Sequence, residues 1–145
     1  MLQWDVILYI EDDDAYSQIV QFALKQSGFK HRLIRLDAAA KAKEYLAGSG
    51  EYADRVRYPL PGLILADIKM PGMDGLDLLQ WIRTDYAHPY IPFVVLTSSD
   101  DLKDVSRAYR LGVNAFVMKP PAVPDLVEFF QSLDTFWVKY NVTTD

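Results

Sequence analysis

From Gly62 to Ala66 every residue is apolar, and Asp67 follows at once with the turn-forming stretch Ile68-Lys69-Met70-Pro71-Gly72-Met73-Asp74-Gly75. A short apolar run without polar alternation, bounded by Gly and Pro, reads as a buried strand with Asp67 at its C-terminal tip. Strands buried on both faces belong to parallel sheets covered by helices. In open α/β sheets, ligands bind beyond the C-terminal edge of the strands. A carboxylate there is costly unless a charge partner or an ion offsets it. Taken alone, Asp67 has a second reading, as an Asp that starts an ordinary turn.

The remainder of the chain repeats the pattern. Asp5–Ile10 is a β-branched apolar run that stops at four acids, Glu11 to Asp14. His31–Leu36 alternates like a strand nearer an edge, Ile91–Leu96 ends in Thr97-Ser98-Ser99, and Ala115–Met118 ends in Lys119-Pro120. Between them lie helical patterns. Ile19, Val20, Phe22, Ala23 and Leu24 share a face in the segment Ala15–Gln26, with Gly28 as its stop. Asp37 is the expected N-cap of an Ala- and Lys-rich helix reaching Leu46. A third helix carries Leu76, Leu78, Leu79 and Ile82, and a fourth runs from a cap at Ser99 or Asp100 to Leu111. A last helix starts near Pro124 and carries Leu126, Phe129, Phe130, Leu133, Trp137 and Tyr140. Gly48–Pro61 reads as a loop longer than most such connections. Five strands alternating with five helices give an α/β fold with a parallel sheet covered on both faces.

Composition narrows the chemistry. At 145 residues the chain fits one domain, and 50% hydrophobic with 24% charged residues is a globular balance. The absence of Cys excludes disulfides and thiolate sites, and two histidines, His31 and His88, make zinc a poor fit. A net charge of -5 argues against nucleic acid, whose binding needs a basic patch. The N-terminus lacks the basic region and apolar core of a signal peptide, and no apolar run approaches a membrane span. The expectation is a cytoplasmic protein that engages neither nucleic acid nor membrane.

Strands one, three, four and five end in Glu11-Asp12, Asp67, Thr97 and Lys119. In a parallel sheet these tips share one edge and converge if the strands are neighbours. Three facing carboxylates repel, and a hard divalent cation relieves that conflict, with oxygen ligands favouring Mg²⁺. Thr97 adds a hydroxyl and Lys119 a point positive charge. Together they describe a pocket for a dianion attached to Asp67, phosphoryl being the obvious candidate, with the carboxylate as nucleophile. Each signal alone has a plainer reading: a solvated acidic cap, a Thr N-cap, a surface lysine.

The ordered motifs Tyr-Ile-Glu11-Asp12-Asp13, Leu-Ile-Leu-Ala-Asp67-Ile-Lys-Met-Pro71-Gly-Met-Asp-Gly75, Val-Val-Leu-Thr97-Ser98 and Phe116-Val-Met-Lys119-Pro120 resemble the receiver domain of bacterial two-component response regulators. The resemblance spans essentially the whole chain as a single receiver domain, 1–145. It implies a flavodoxin-like (CheY-like) doubly wound five-stranded parallel sheet, (βα)5, in strand order 2-1-3-4-5. It implies that Asp67 accepts a phosphoryl group from a histidine kinase or phosphotransfer protein. Glu11, Asp12, Asp67 and the backbone carbonyl of Lys69 would hold Mg²⁺. Thr97 and Lys119 would contact the phosphoryl oxygens, and Phe116 would be the aromatic switch that follows Thr97. Gly48–Asp54 and the Phe- and Trp-containing tail are similar to the stand-alone regulators associated with cyanobacterial and bacterial phytochrome kinases. Pro121 after Pro120 departs from the family pattern and bears on its usual cis Lys-Pro bond.

With no effector domain in view, output is expected through protein contact, on the face of the fourth helix, fifth strand and fifth helix. Phe136, Trp137 and Tyr140 extend past the residues needed to cover the sheet. They fit either core packing or a homodimer or partner surface. Two other functions compete. A Mg²⁺-dependent phosphatase with an Asp nucleophile would need a second Asp two residues on, where this chain has Lys69. A receiver-like module acting without phosphorylation would not need every reacting group to be present.

Overall fold

The computed structural model describes residues 2–142; of the 1–145 span expected for the domain, Met1 and residues 143–145 lie outside the described residues. Ten principal elements alternate: β1 (Gln3–Ile10), α1 (Asp14–Ser27), β2 (Arg32–Leu36), α2 (Ala39–Ala47), β3 (Pro61–Ala66), α3 (Gly75–Asp85), β4 (Phe93–Thr97), α4 (Leu102–Arg110), β5 (Ala115–Met118) and α5 (Val123–Leu133). All pairings are parallel and the order is β2-β1-β3-β4-β5, the doubly wound arrangement expected from the sequence. Among the described residues, no helix is long and apolar enough to cross a membrane.

Residues of β1, β3 and β4 alternate between two buried layers, which is why these strands read as unbroken apolar runs, while the edge strand β2 keeps polar positions. Leu8, Ile10, Ile64, Ala66, Phe93 and Val95 pack beneath α2, α3 and α4, meeting Leu46, Leu79, Ile82 and Ala108. Ile7, Tyr9, Leu63, Leu65, Val94 and Leu96 face α1 and α5, meeting Val20, Leu24, Leu126 and Phe130. β1 starts two residues earlier than expected, because Gln3 N–H donates to Leu60 O at 2.8 Å. Gly62 permits that close approach: a Cβ there would stand 2.7 Å from Trp4 Cα.

Helix ends differ from expectation at two caps. Asp37 does not cap α2; Ala38 occupies the cap position without a side-chain bond, while Asp37 pairs with Lys41 at 2.8 Å. The α4 cap is Asp101, which accepts from Lys103 N, rather than Ser99 or Asp100. Asp13 caps α1, and Asp74 with Asp77 forms a reciprocal capping box at α3. The long loop after α2 is ordered by its own contacts. It contains a 3₁₀ turn, Gly50–Ala53, and Arg55 donates to the Tyr45 and Leu46 carbonyls, closing the C-terminus of α2. The last helix is not uniform: α5 ends at Leu133 and the chain widens into a π-helical segment, Asp134–Tyr140. The tail aromatics divide between the two readings left open above. Trp137 packs on the α1–α5 layer, whereas Phe136 and Tyr140 are 65% and 67% exposed.

Candidate functional site

Hydrogen bonding across the strand ends builds the site. Ile10 and Ala66 are register partners, so Glu11 and Asp67 emerge side by side, and Asp67 N–H donates to Ile10 O at 3.0 Å. On the other flank, Lys119 N–H donates to Thr97 O at 2.7 Å, continuing the β4–β5 ladder one step beyond the strand. Since β1, β3, β4 and β5 are consecutive in the sheet, their four tips line one edge.

The side chains of Glu11, Asp67 and Lys119 converge. Lys119 Nζ lies 2.8 Å from Asp67 Oδ2 and 2.8 Å from Glu11 Oε1. The contact with Asp67 is a proper hydrogen bond. The approach to Glu11 is close enough for an ion pair but poorly directed, and Oε1 is left without a hydrogen-bond donor. Asp67 Oδ1 accepts from Ile68 N–H at 2.7 Å, which fixes the plane of the carboxylate. Glu11, Asp67 and Thr97 are buried, while Asp12 is exposed at the rim.

Burial drives the Glu11 carboxyl above its ordinary range, and the Asp67 charge adds to this, against the pull of Lys119. For Lys119, burial works to lower the ammonium, but the hydrogen bond to Asp67 and the adjacent Glu11 carboxylate outweigh it and hold the group above its usual value. Both directions describe one crowded pocket. Glu11 and Asp67 share the Lys119 ammonium and Asp12 stands beside them at the rim, so carboxylates outnumber ammonium groups and the site has excess negative charge.

Glu11, Asp12 and Asp67 each bring a carboxylate oxygen within 4.8 Å of the others, the only such grouping among the described residues. A buried carboxylate oxygen without a donor, beside two more hard oxygen ligands, fits a cation of the Mg²⁺ class. Lys69 lies two residues past Asp67, and its side chain reaches Asp104 at 3.3 Å. The Thr97 hydroxyl accepts from Ser99 N–H at 3.3 Å and donates to no acceptor among the described residues. Phe116 is half-buried against the α2–α3–α4 layer. The Lys119–Pro120 bond is trans, unlike the cis form usual in the resembled family. His31 packs tilted against Phe29, His88 meets Tyr86 edge-on, and neither takes part in the cluster.

Three further groups escaped the sequence reading. Tyr16, from the first turn of α1, sets its ring 4.7 Å from Lys119 Nζ and donates its hydroxyl to Pro120 O at 3.1 Å. Burial pushes its phenol up to about 12, so the group is neutral. Gly75 sits against the backbone of Asp67, where a Cβ would collide with the Asp67 carbonyl. Asp104 receives the Ser99 hydroxyl at 2.8 Å as well as the Lys69 ammonium, joining the loops after β3 and β4. Nothing in residue spacing announces contacts between such distant positions; Gly75 in the run after Asp67 was the one visible trace.

Comparison with known proteins agrees with this geometry. The sequence profile described as "Response regulator receiver domain" matches residues 7–131. Response regulator Rcp1 of Synechocystis sp. is 38% identical over 134 residues, covering 92% of this chain and 89% of Rcp1. The crystal structure of the Mn²⁺-bound form of Rcp1 superposes with a TM-score of 0.83 at 36% identity, covering 97% of this chain and 99% of the other. The phosphorylated cyanobacterial phytochrome response regulator RcpA gives 0.87 at 29% identity, covering 99% and 100%. The bacteriophytochrome response regulator RtBRR gives 0.76 at 34% identity, covering 100% and 84%.

Proposed function

The chain belongs to the response regulator receiver domain family, whose members are phosphoacceptors of two-component signalling rather than catalysts, and from that membership we propose that Asp67 is its phosphoacceptor. The observation that carries the reading is the pairing of Lys119 with both Asp67 and Glu11 in a pocket of excess negative charge. The donor is the phosphorylated histidine of a kinase or phosphotransfer protein. One Asp67 carboxylate oxygen forms the bond to phosphorus as the P–N bond breaks, and the electron pair leaves with the imidazole, which then takes a proton.

Glu11, Asp12, Asp67 and the Lys69 carbonyl are the groups that hold Mg²⁺, and the ion when bound supplies positive charge to the phosphoryl oxygens. Lys119 transfers its ammonium contact from Asp67 to a phosphoryl oxygen. Thr97 turns its hydroxyl proton to another, drawing the loop after β4 inward. Phe116 then has room to turn into the core, and the α4–β5–α5 face repacks. Its exposed groups include Leu102, Tyr109 and Met118. The energy of this change is limited to the difference in phosphoryl contacts between the two states.

The reading treats 1–145 as one receiver domain acting in the cytoplasm through protein contacts. The likeness to RcpA and RtBRR favours a phytochrome-type histidine kinase as its donor. Phe136 and Tyr140, exposed beside α5, suit a homodimer or a downstream protein. Incubation with Mg²⁺ and a small phosphodonor should add one phosphoryl mass to the wild type and none to Asp67→Asn. Equal labelling of both proteins would refute the assignment.

A further inference from the structure

A lysine ammonium is a compact charge on a flexible stem, and nothing in the stem itself holds it in one place. In this pocket Lys119 has two carboxylates on one side, each at 2.8 Å, and its side chain is only 13% exposed. On another side stands the face of Tyr16, its centroid 4.7 Å from Nζ, within the reach of about 6 Å over which a ring quadrupole attracts a cation. The same residue is tied down at both ends. Its backbone N–H donates to the Asp13 cap at 3.1 Å, and its hydroxyl donates to Pro120 O at 3.1 Å. Tyr16 therefore bridges the acidic loop after β1 and the loop immediately after Lys119, its hydroxyl reaching a carbonyl 104 residues further along the chain.

We propose that Tyr16 is a positioning residue for Lys119: its ring holds the ammonium at the acidic pocket while its hydroxyl fixes the loop that follows. The inference rests on the reading of Lys119 as the group that meets the incoming phosphoryl. A ring face suits that task because its attraction lacks the directionality of a hydrogen bond. The ammonium can exchange the Asp67 oxygen for a phosphoryl oxygen and keep the ring contact throughout. A third carboxylate in the ring's place would add charge to a pocket already negative, and an aliphatic side chain would leave the ammonium held from one side only.

The full chain is compared as wild type, Tyr16→Phe and Tyr16→Leu. Four quantities are read: thermal midpoint, Mn²⁺ affinity, the rate constant for labelling by a small phosphodonor at saturating Mg²⁺, and the NMR shift of the Lys119 methylene protons next to nitrogen. In Tyr16→Leu the labelling rate constant falls about tenfold, the size expected for loss of a partly desolvated cation–ring contact, while Mn²⁺ affinity stays within about twofold. Tyr16→Phe keeps the ring and recovers most of the rate. The Lys119 methylene signal is moved upfield by the ring in wild type and Tyr16→Phe, and relaxes toward the free-lysine position in Tyr16→Leu.

A Tyr16→Leu protein that labels at the wild-type rate overturns the proposal, and so does a Tyr16→Phe protein as slow as Tyr16→Leu. Parallel losses of thermal midpoint, metal affinity and rate would mark Tyr16 as packing only, which also overturns it. If wild type takes no phosphoryl at all, the assignment of Asp67 fails, and the Lys119 signal alone decides the Tyr16 contact. An unshifted signal in wild type is then the contrary result. Should Tyr16→Leu not fold, the wild-type signal and the Tyr16→Phe rate decide in the same way.

Discussion

Replacing Lys119 by Met keeps the length of the stem and removes the one cation that Asp67 and Glu11 share. Glu11 is fully buried and Asp67 is 5% exposed, so the two carboxylates left behind cannot recover their hydration. Breaking a buried ion pair by deleting one partner costs about 3–5 kcal/mol. For a domain of this size, that is a fall in thermal midpoint of roughly 6–20 °C. The loss should depend on pH, with a sign set by Glu11. Its carboxyl is already raised by burial, and without Lys119 it rises further. A carboxyl raised in the folded state binds protons that the unfolded chain releases, so its penalty is absent at low pH and grows as pH rises through the folded value. The deficit of Lys119→Met relative to wild type should therefore be larger at about pH 8 than at about pH 5. Mg²⁺ should recover more stability in the variant than in wild type, because it supplies the missing positive charge. Chemical denaturation of both proteins at the two pH values, with and without Mg²⁺, measures all three effects. A deficit that is small or independent of pH would show that Lys119 does not neutralise the pair, and the reasoning would fall.

Arg83 donates to the carbonyls of Pro89, Ile91 and Gly112 and to Asn114 Oδ1, with no carboxylate partner among the described residues. Arg83→Met should lower stability in urea by about 2–4 kcal/mol through stranded acceptors, leaving Mn²⁺ affinity unchanged; a neutral result would contradict the hydrogen-bond argument. Gly75→Ala forces a methyl into the backbone of Asp67 and should cost about 1–3 kcal/mol while weakening Mn²⁺ binding, read by calorimetry. Asp77 is held below the usual carboxylate range by the Asp74 N–H, with Arg107 adding to it. Its contribution is present above the unfolded carboxyl value and is lost as pH falls through the lower folded one; with the side chain 45% exposed and screened by solvent, Asp77→Asn should be less stable by about 0.5 kcal/mol at neutral pH and converge with wild type in acid.

The inner strands β1, β3 and β4 were legible because they are buried on both faces, which compresses each into an apolar run with a polar stop, whereas the edge strand β2 showed only as an alternating pattern. The stops themselves, Glu11, Asp67, Thr97 and Lys119, then named the edge where the site lies. Helix caps were less legible. Asp37 has the right chemistry for a cap, yet it pairs with Lys41, and the helix begins one residue later on an Ala without a side-chain bond. The apolar spacing of the tail suits a continuous α-helix, but periodicity does not distinguish an α-helical from a π-helical turn after Leu133. What surrounds Lys119 was hidden for a different reason. Tyr16 sits in a helix whose pattern demands only some residue there, and its contact depends on how α1 meets the loop after β5. Asp104 likewise ties Lys69 to Ser99 through a fold-level approach of two loops.

The central claim is that one carboxylate among the clustered acids carries the phosphoryl group. Labelling with Mg²⁺ and a small phosphodonor, reduction of the acyl phosphate with borohydride, and peptide sequencing by mass spectrometry locate it directly. The account predicts that Asp67, and neither Glu11 nor Asp12, is converted to homoserine. Conversion at another residue, or a fully folded and Mg²⁺-loaded protein that acquires no label, would contradict it.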